Sequence, residues 1–224
     1  MRKALFSLVF VMGTVLTVLG QDATPYGKSD PKAKAILDKA SQKYTSYNSL
    51  KADFTQQVFD TESKLLNSQK GTIWLKGDKF KFTLGEQIVS SDNKTLWSYN
   101  KELNEVQVSD YEEPEEGEIT PSSLFTNFYD KDFLYRLQGS DQLEGRAVDV
   151  IELTPLDKSK PYFKILAWVD KKDFQLRGLK IFLKGGYRQK YIINDYKPNV
   201  SMENTTFTFS KSKHPGVEVV DLRM

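Results

Sequence analysis

Apolar residues recur along the chain with two different periods, and the change between them divides the sequence into predicted elements. After Asp30 and Pro31, which suit the N-cap and first turn of a helix, the apolar positions are three or four residues apart. These positions are Ala33, Leu37, Ala40, Tyr44 and Tyr47. The spacing predicts one amphipathic helix, because such residues share a helical face.

From Leu50 onward the period is two, which is typical of half-buried strands. The segment LKGDKFKFTL (75–84) shows it well, since Phe80 and Phe82 alternate with lysines. Turn residues, and no helix-length connections, separate these runs, so the sequence predicts an antiparallel meander of about ten or eleven strands. The last strand is expected in TFTFS (206–210).

A short apolar helix is predicted between the two groups of strands. A threonine and a proline suit its start, and Leu124, Phe125 and Phe128 fall on one helical face. No linker interrupts the strands, so we expect a single domain over 30–224, preceded by a flexible lead at 21–29.

The N-terminus has the pattern of an export signal. Two basic residues precede an uncharged apolar run over 4–19, which is shorter than the ~20 residues needed to cross a bilayer. The alternative is a membrane anchor. The pattern favours a signal peptide over residues 1–20, cleaved near Gly20/Gln21.

Charge and cysteine content narrow the classes of partner. Arg2 and Lys3 account for two of the 32 basic residues, so the rest balance the 30 acidic residues. A neutral exported chain has no bulk attraction for nucleic acid, and none is expected as a partner. Cysteine is absent, so the core must hold the fold without disulfides, and no thiol can carry a lipid anchor.

No catalytic constellation is visible. The chain has one histidine, His214, expected as an exposed loop residue, and it lacks the motifs of phosphate, dinucleotide or acyl-transfer sites. The acidic segment YEEPEEGE (111–118) is interpreted as a solvated loop, because no strand holds its carboxylates at fixed distances. We therefore expect no enzyme activity, no metal and no cofactor.

Four short motifs in order resemble the LolA family of periplasmic lipoprotein carriers, over most of the chain after the signal. They are DFTQQV (53–58), KGTIWLKGDKFKF (70–82), IVSSDNKTLWSYN (88–100) and FTFSKSKHPGVEVVD (207–221). The resemblance implies a mainly β fold: an incomplete antiparallel barrel of about 11 strands with a helical lid over a hydrophobic cavity.

The resemblance also implies a function and partners. It implies a non-enzymatic periplasmic carrier, expected as a monomer, that takes acylated lipoproteins from an inner-membrane releasing ABC transporter towards the outer membrane, where an acceptor would receive them. The alternative is a half-barrel of the same type that binds lipids or senses envelope stress without carrying lipoproteins.

The resemblance assigns the lining of the acyl cavity residue by residue. The assigned residues are Leu37, Phe54, Phe80, Phe82, Val89, Leu124, Phe125 and Phe128. One position departs from the family pattern, because Gly77 stands where many members have an arginine implicated in tethering the lid. Glycine cannot replace the hydrogen-bonding fork of a guanidinium group.

Overall fold

The N-terminal helix forms where the apolar spacing predicts it. In the computed structural model, which describes residues 28–112 and 129–223, helix α1 spans Pro31–Thr45. The Asp30 side chain caps the helix by accepting a hydrogen bond from the Lys32 amide at 2.8 Å. The buried face of α1 consists of Ala33, Leu37, Ala40, Ser41 and Tyr44.

The described strands form one sheet. The first six are β1 (Leu50–Phe59), β2 (Leu65–Lys76), β3 (Lys79–Leu84), β4 (Gln87–Ser91), β5 (Thr95–Asn100) and β6 (Glu105–Asp110). After a short helix α2 (Tyr129–Asp132) come β7 (Phe133–Leu143), β8 (Arg146–Pro155), β9 (Tyr162–Asp170), β10 (Leu176–Leu183), β11 (Arg188–Pro198) and β12 (Glu218–Asp221).

The spatial order of these strands is β12-β6-β5-β4-β3-β2-β1-β11-β10-β9-β8-β7. Neighbouring strands are antiparallel, apart from the parallel pair β12 and β6. The end strands β12 and β7 are not paired with each other, so the sheet is open. The prediction of a mainly β, unclosed sheet is confirmed, with one strand more than expected.

The face of the sheet that carries α1, here called the inner face, holds the main core. Side chains from α1 and from both halves of the sheet pack there. The strand residues of this core include Leu50, Ala52, Ile73, Tyr135, Ile151, Leu153, Ile165, Ala167, Leu179 and Ile181. Period-two alternation produces this face, because every second side chain of a strand points the same way.

Polar contacts fix the C-terminal end of α1 to the sheet. The Tyr44 hydroxyl accepts a hydrogen bond from the Leu176 amide at 2.8 Å and donates one to the Tyr196 hydroxyl at 2.9 Å. The Tyr196 hydroxyl in turn donates to the Leu176 carbonyl. Burial raises the pKa of both phenols well above the usual value. Both rings are therefore held neutral inside the core.

The segment 199–217, here called the strap, crosses the opposite, outer face from β11 to β12. The Lys76 ammonium donates to the Met202 carbonyl at 2.7 Å, and the Lys79 ammonium donates to the Asn204 side chain at 3.1 Å. Phe207 is fully buried. Further along, the strap packs on a second apolar cluster made of Tyr99, Val106, Val108 and Val217, with Ile88, Trp97 and Phe209 beside it.

Two expectations about this C-terminal region are wrong. The predicted strand at 206–210 is absent, since Asn204–Phe207 forms a 3₁₀ turn and the last strand is β12. The strap lies across the strands of the sheet, so its backbone has no neighbouring strand with which to form a ladder. His214 is half-buried rather than exposed, because its ring lies 4.4 Å from that of Tyr99 and 4.7 Å from that of Phe209, centroid to centroid.

Leu124, Phe125 and Phe128, which carry the predicted apolar helix between β6 and β7, lie outside the described residues. Within 28–112 and 129–223, neither helix is long and apolar enough to cross a membrane.

Candidate functional site

The alternation that singles out Phe80 and Phe82 places both on the inner face. In the antiparallel register Phe82 lies opposite Ile73 of β2 and opposite Val89 of β4. Phe82 and Val89 are half-buried, in contrast to the fully packed positions under α1. This part of the inner face, on β1 to β4, therefore retains partly exposed apolar surface.

Two phenylalanine rings from different strands stack at the centre of this surface. The Phe54 and Phe82 centroids are 5.4 Å apart with an interplanar angle of 17°. Phe54 is 4% exposed and also contacts the Tyr191 ring, with centroids 6.1 Å apart. Stacked and tilted ring pairs of this kind form a rigid apolar surface with few rotatable bonds.

A glycine makes room for the Phe54 ring. Gly71 of β2 lies directly across from Phe54 of β1 and from Leu84 of β3. A Cβ atom at this position would come within 2.7 Å of Phe54 Cε1 and 2.5 Å of the Thr83 carbonyl oxygen. The ring of Phe54 therefore lies flat over the β2 backbone, where any other residue would block it.

Tyr191 is the aromatic neighbour that the sequence reasoning missed. Its hydroxyl accepts a hydrogen bond from the Gln56 amide at 2.8 Å and donates to Gln189 at 3.1 Å. Burial raises the pKa of this phenol, so the ring stays neutral. With its hydroxyl satisfied, Tyr191 presents an apolar ring face to Phe54.

Phe80 extends the aromatic surface towards β6. It is 6% exposed, and its ring meets that of Tyr111 edge to face, with centroids 6.1 Å apart. The Tyr111 amide donates to the Lys94 carbonyl at 2.8 Å, which holds the residue after β6 against the start of β5.

The structure brings together some of the residues predicted to line the cavity. Phe54 on β1, Phe80 and Phe82 on β3, and Val89 on β4 lie on the same inner face. Leu37 lies on the same side of the sheet, but within the packed core of α1, which rests mainly on β7 and β9. Leu124, Phe125 and Phe128 lie outside the described residues.

Gly77 occupies a turn position in the described structure. It forms the two-residue connection of the β2–β3 hairpin with Asp78, and its φ of 57° is in the region that favours glycine. The adjacent Lys76 points to the outer face and holds the strap. The position that the family resemblance assigns to an arginine is therefore, in this chain, the first residue of a tight turn.

Polar chemistry is sparse at this surface. Among the described residues there is no group of three or more His, Cys, Asp or Glu side chains that could hold a metal ion. The inner face between β1 and β4 offers aromatic and aliphatic groups, which suit burial of a hydrocarbon ligand.

An open antiparallel sheet with a helix across one face and an apolar surface beside that helix is a half-barrel fold. The family model described as "Outer membrane lipoprotein carrier protein LolA" matches residues 45–210, which is well over half of the chain. The chain belongs to this family of lipoprotein carriers.

Individual relatives carry the family's name and match this chain over most of their length. An outer-membrane lipoprotein carrier protein from Photobacterium profundum is 27% identical over 187 residues, which cover 82% of this chain and 88% of the relative. One from Vibrio campbellii is 27% identical over 202 residues, covering 87% and 90%. The crystal structure of an uncharacterized conserved protein from Thermus thermophilus superposes with a TM-score of 0.56 at 13% identity, over 85% of this chain and 99% of that one, and bears on the fold alone.

Proposed function

We propose that the aromatic surface of the inner face binds the acyl chains of lipoproteins, and that the protein carries them through the periplasm from the inner to the outer membrane. The observation that supports this most directly is the stacked pair Phe54 and Phe82 beside the half-buried Val89. Membership of the lipoprotein-carrier family supports the nature of the cargo.

The physical problem for such a carrier is the cost of exposing hydrocarbon to water. Two acyl chains of about 16 carbons each, at about 0.8 kcal/mol per CH₂, would cost on the order of 25 kcal/mol in water. Aromatic and aliphatic side chains that remain partly exposed can offset much of that cost. A site that is not perfectly packed also permits release, which a carrier requires.

The remaining assigned residues enter the proposal from the family resemblance. Leu124, Phe125 and Phe128 are proposed to cover the cavity, and Leu37 to border it at α1. Competition between such a cover and the acyl chains would lower the affinity, because opening the cover subtracts from the binding free energy.

Location and partners follow from the same proposal. We propose that residues 1–20 direct export and are removed near Gly20/Gln21, and that the mature protein receives cargo from an inner-membrane ABC transporter. N-terminal sequencing of protein recovered from the periplasm tests the first point. Recovery of intact residues 1–20 with the membrane fraction would contradict it.

The central experiment is transfer of a lipoprotein into solution. The mature protein is mixed with membranes that contain an acylated lipoprotein and the releasing transporter, and the soluble fraction is assayed for a complex of the two proteins. The wild type is expected to form the complex. Phe82→Glu is expected to abolish it, because a carboxylate on this surface must be desolvated when acyl chains enter.

A matched substitution controls for folding and charge. Leu103 is 68% exposed in the β5–β6 turn, so Leu103→Glu makes the same chemical change away from the inner face. It should leave complex formation unchanged, and circular dichroism should show both variants folded. Equal transfer by Phe82→Glu and the wild type would refute the assigned site, whereas no transfer by the wild type would refute the carrier function.

The alternative function, binding of lipids without carrying lipoproteins, is separated by a second measurement. Mass spectrometry of protein purified from its native envelope is expected to detect lipoprotein. Phospholipid or free fatty acid alone, together with a negative transfer assay, would favour the alternative.

A further inference from the structure

The strap and the outer face of the sheet enclose a small cavity on the side of β3 and β4 opposite the aromatic surface. Its volume is about 70 Å³, and one water molecule needs about 10–15 Å³ on the same measure, so it has room for a small ion. The residues that line it are Lys81, Ile88, Ser90, Tyr99, Thr205, Thr208, Phe209, Ser210, Lys213 and His214.

The charge around this cavity is one-sided. Lys81 and Lys213 contribute two positive charges, and no carboxylate is among the lining residues. With the described residues as possible partners, neither lysine forms an ion pair or a side-chain hydrogen bond. The Lys81 ammonium lies over the Trp74 ring, 5.6 Å from its centroid.

No negative charge among the lining residues balances the positive charge of Lys81. Burial lowers the pKa of its ammonium group, and the positive charges of Lys213 and Lys101 lower it further. A half-buried ammonium beside two others is unfavourable without an anion, because each positive charge raises the cost of its neighbours.

The rest of the lining suits an oxyanion. Five hydroxyl groups belong to the lining residues, from Ser90 on β4, from Tyr99 on β5 and from three residues of the strap. The Tyr99 hydroxyl donates to Asn104 at 3.0 Å, which leaves four for a ligand. Ser90 is only 4% exposed, so its position is fixed by packing. Hydroxyl and ammonium groups donate hydrogen bonds to phosphate and sulfate oxygens, and lysine binds such groups as a point charge.

We propose that this cavity is a binding site for a small tetrahedral oxyanion of the phosphate or sulfate type, held by Lys81 and Lys213 and by the surrounding hydroxyls. Occupancy would join the strap to β3 and β4 through a shared ligand. This inference is independent of the acyl-binding proposal, since it concerns the other face of the sheet.

The single histidine of the chain provides a direct readout. The His214 ring lines the cavity, so its Cε1 proton should report occupancy by NMR without overlap from other imidazoles. Inorganic phosphate and sulfate are titrated separately into the full mature protein at fixed pH, with chloride adjusted to hold the ionic strength constant. Both titrations are expected to produce a saturable shift of this resonance.

Variants identify the residues that hold the ion. Lys81→Met and Lys213→Met are each expected to weaken the apparent Kd about tenfold, as for the loss of one charged hydrogen-bond donor. A second 3₁₀ turn of the strap spans Lys211–Lys213. Lys211→Met is the matched control, because Lys211 begins this turn but does not line the cavity. It should leave the Kd unchanged.

Three outcomes of these titrations would contradict the proposed anion site. A shift that does not saturate, that chloride reproduces, or that Lys211→Met weakens as much as Lys213→Met would overturn the proposal. A parallel titration with phosphatidylglycerol vesicles, against phosphatidylcholine vesicles as control, distinguishes the source of the group. Beside a saturable phosphate shift, broadening with phosphatidylglycerol but not with phosphatidylcholine would identify a lipid headgroup as the source of the group. No broadening with either lipid would identify a free ion.

Discussion

Gly71 is the position at which a single methyl group should most clearly test the geometry of the aromatic surface. In Gly71→Ala the new Cβ would meet the Phe54 ring on one side and the Thr83 carbonyl oxygen, at 2.5 Å, on the other. The ring can rotate away, but the carbonyl belongs to the backbone of β3. Relief of the clash therefore requires β2 and β3 to shift apart.

The expected magnitude follows from two opposing terms. Overpacking of this kind costs about 1–3 kcal/mol. Replacing glycine by alanine within a strand returns about 0.5–1 kcal/mol through the unfolded chain. The net loss should be about 1–2 kcal/mol, which corresponds to a lowering of Tm by about 2–8 °C for a domain of this size.

Chemical denaturation with urea measures this loss, and Gly185→Ala provides the control. At Gly185 the nearest heavy atom to a new Cβ is 3.8 Å away, on the Tyr187 ring, which is ordinary contact. Gly185→Ala should therefore be neutral or slightly stabilising. In a Phe54→Leu background the cost of Gly71→Ala should fall, because the ring contact is gone while the contact with the carbonyl remains. Equal stability of Gly71→Ala and Gly185→Ala would refute the packing described for Phe54.

Two further predictions concern buried polar groups. Burial raises the pKa of Tyr44 and Tyr196 above the ordinary value of 10.0, so the stability that depends on their neutral forms is complete below pH 10 and is lost as pH rises above it. Urea denaturation at increasing pH should show this loss, which amounts to up to about 1.4 kcal/mol of unfolding free energy per pH unit for each phenol. The double variant Tyr44→Phe, Tyr196→Phe should lose less stability at alkaline pH. An unchanged dependence of stability on pH in this variant would contradict the raised pKa values. The buried Arg177 donates to Asp170 at 3.0 Å, so Arg177→Met should lower the free energy of unfolding by about 3 kcal/mol. Arg223 belongs to an exposed ion pair, so Arg223→Met should change urea denaturation little. Equal losses of stability in the two variants would refute a stabilising role of the buried pair.

The alternation of apolar residues was enough to predict the orientation of several side chains. Because a strand has a period of two, Phe80 and Phe82 had to share a face, and the helix spacing likewise predicted the buried side of α1. Tyr191 could not be found in this way, since it lies on β11, far along the chain from Phe54. Alternation predicts the face on which a residue lies but not the strand that becomes its neighbour.

The strap shows the opposite case, in which a local pattern was misleading. Phe207 and Phe209 alternate with threonine and serine, as in a strand, yet Phe207 ends a 3₁₀ turn and Phe209 follows it in irregular backbone over the outer face. Burial of Phe207 and the contact of Phe209 with the second apolar cluster are satisfied without a ladder. The short β12 was missed because its parallel pairing with β6 depends on the path of the strap, which no local pattern reveals.

Strands β3 and β4 lie between the proposed acyl site on the inner face and the proposed anion site on the outer face. The strap contacts their outer side, whereas their inner side is not fully packed. Lys76 and Lys79, on either side of the β2–β3 turn, bind the strap on the outer face, and Phe82 and Val89 remain half-buried on the inner face. We expect these contacts of the strap to limit bending of the strands when a ligand binds at the proposed site on the inner face. We therefore expect the proposed acyl site to adapt to chains of different length and number through side chains of the inner face, and not through the strands.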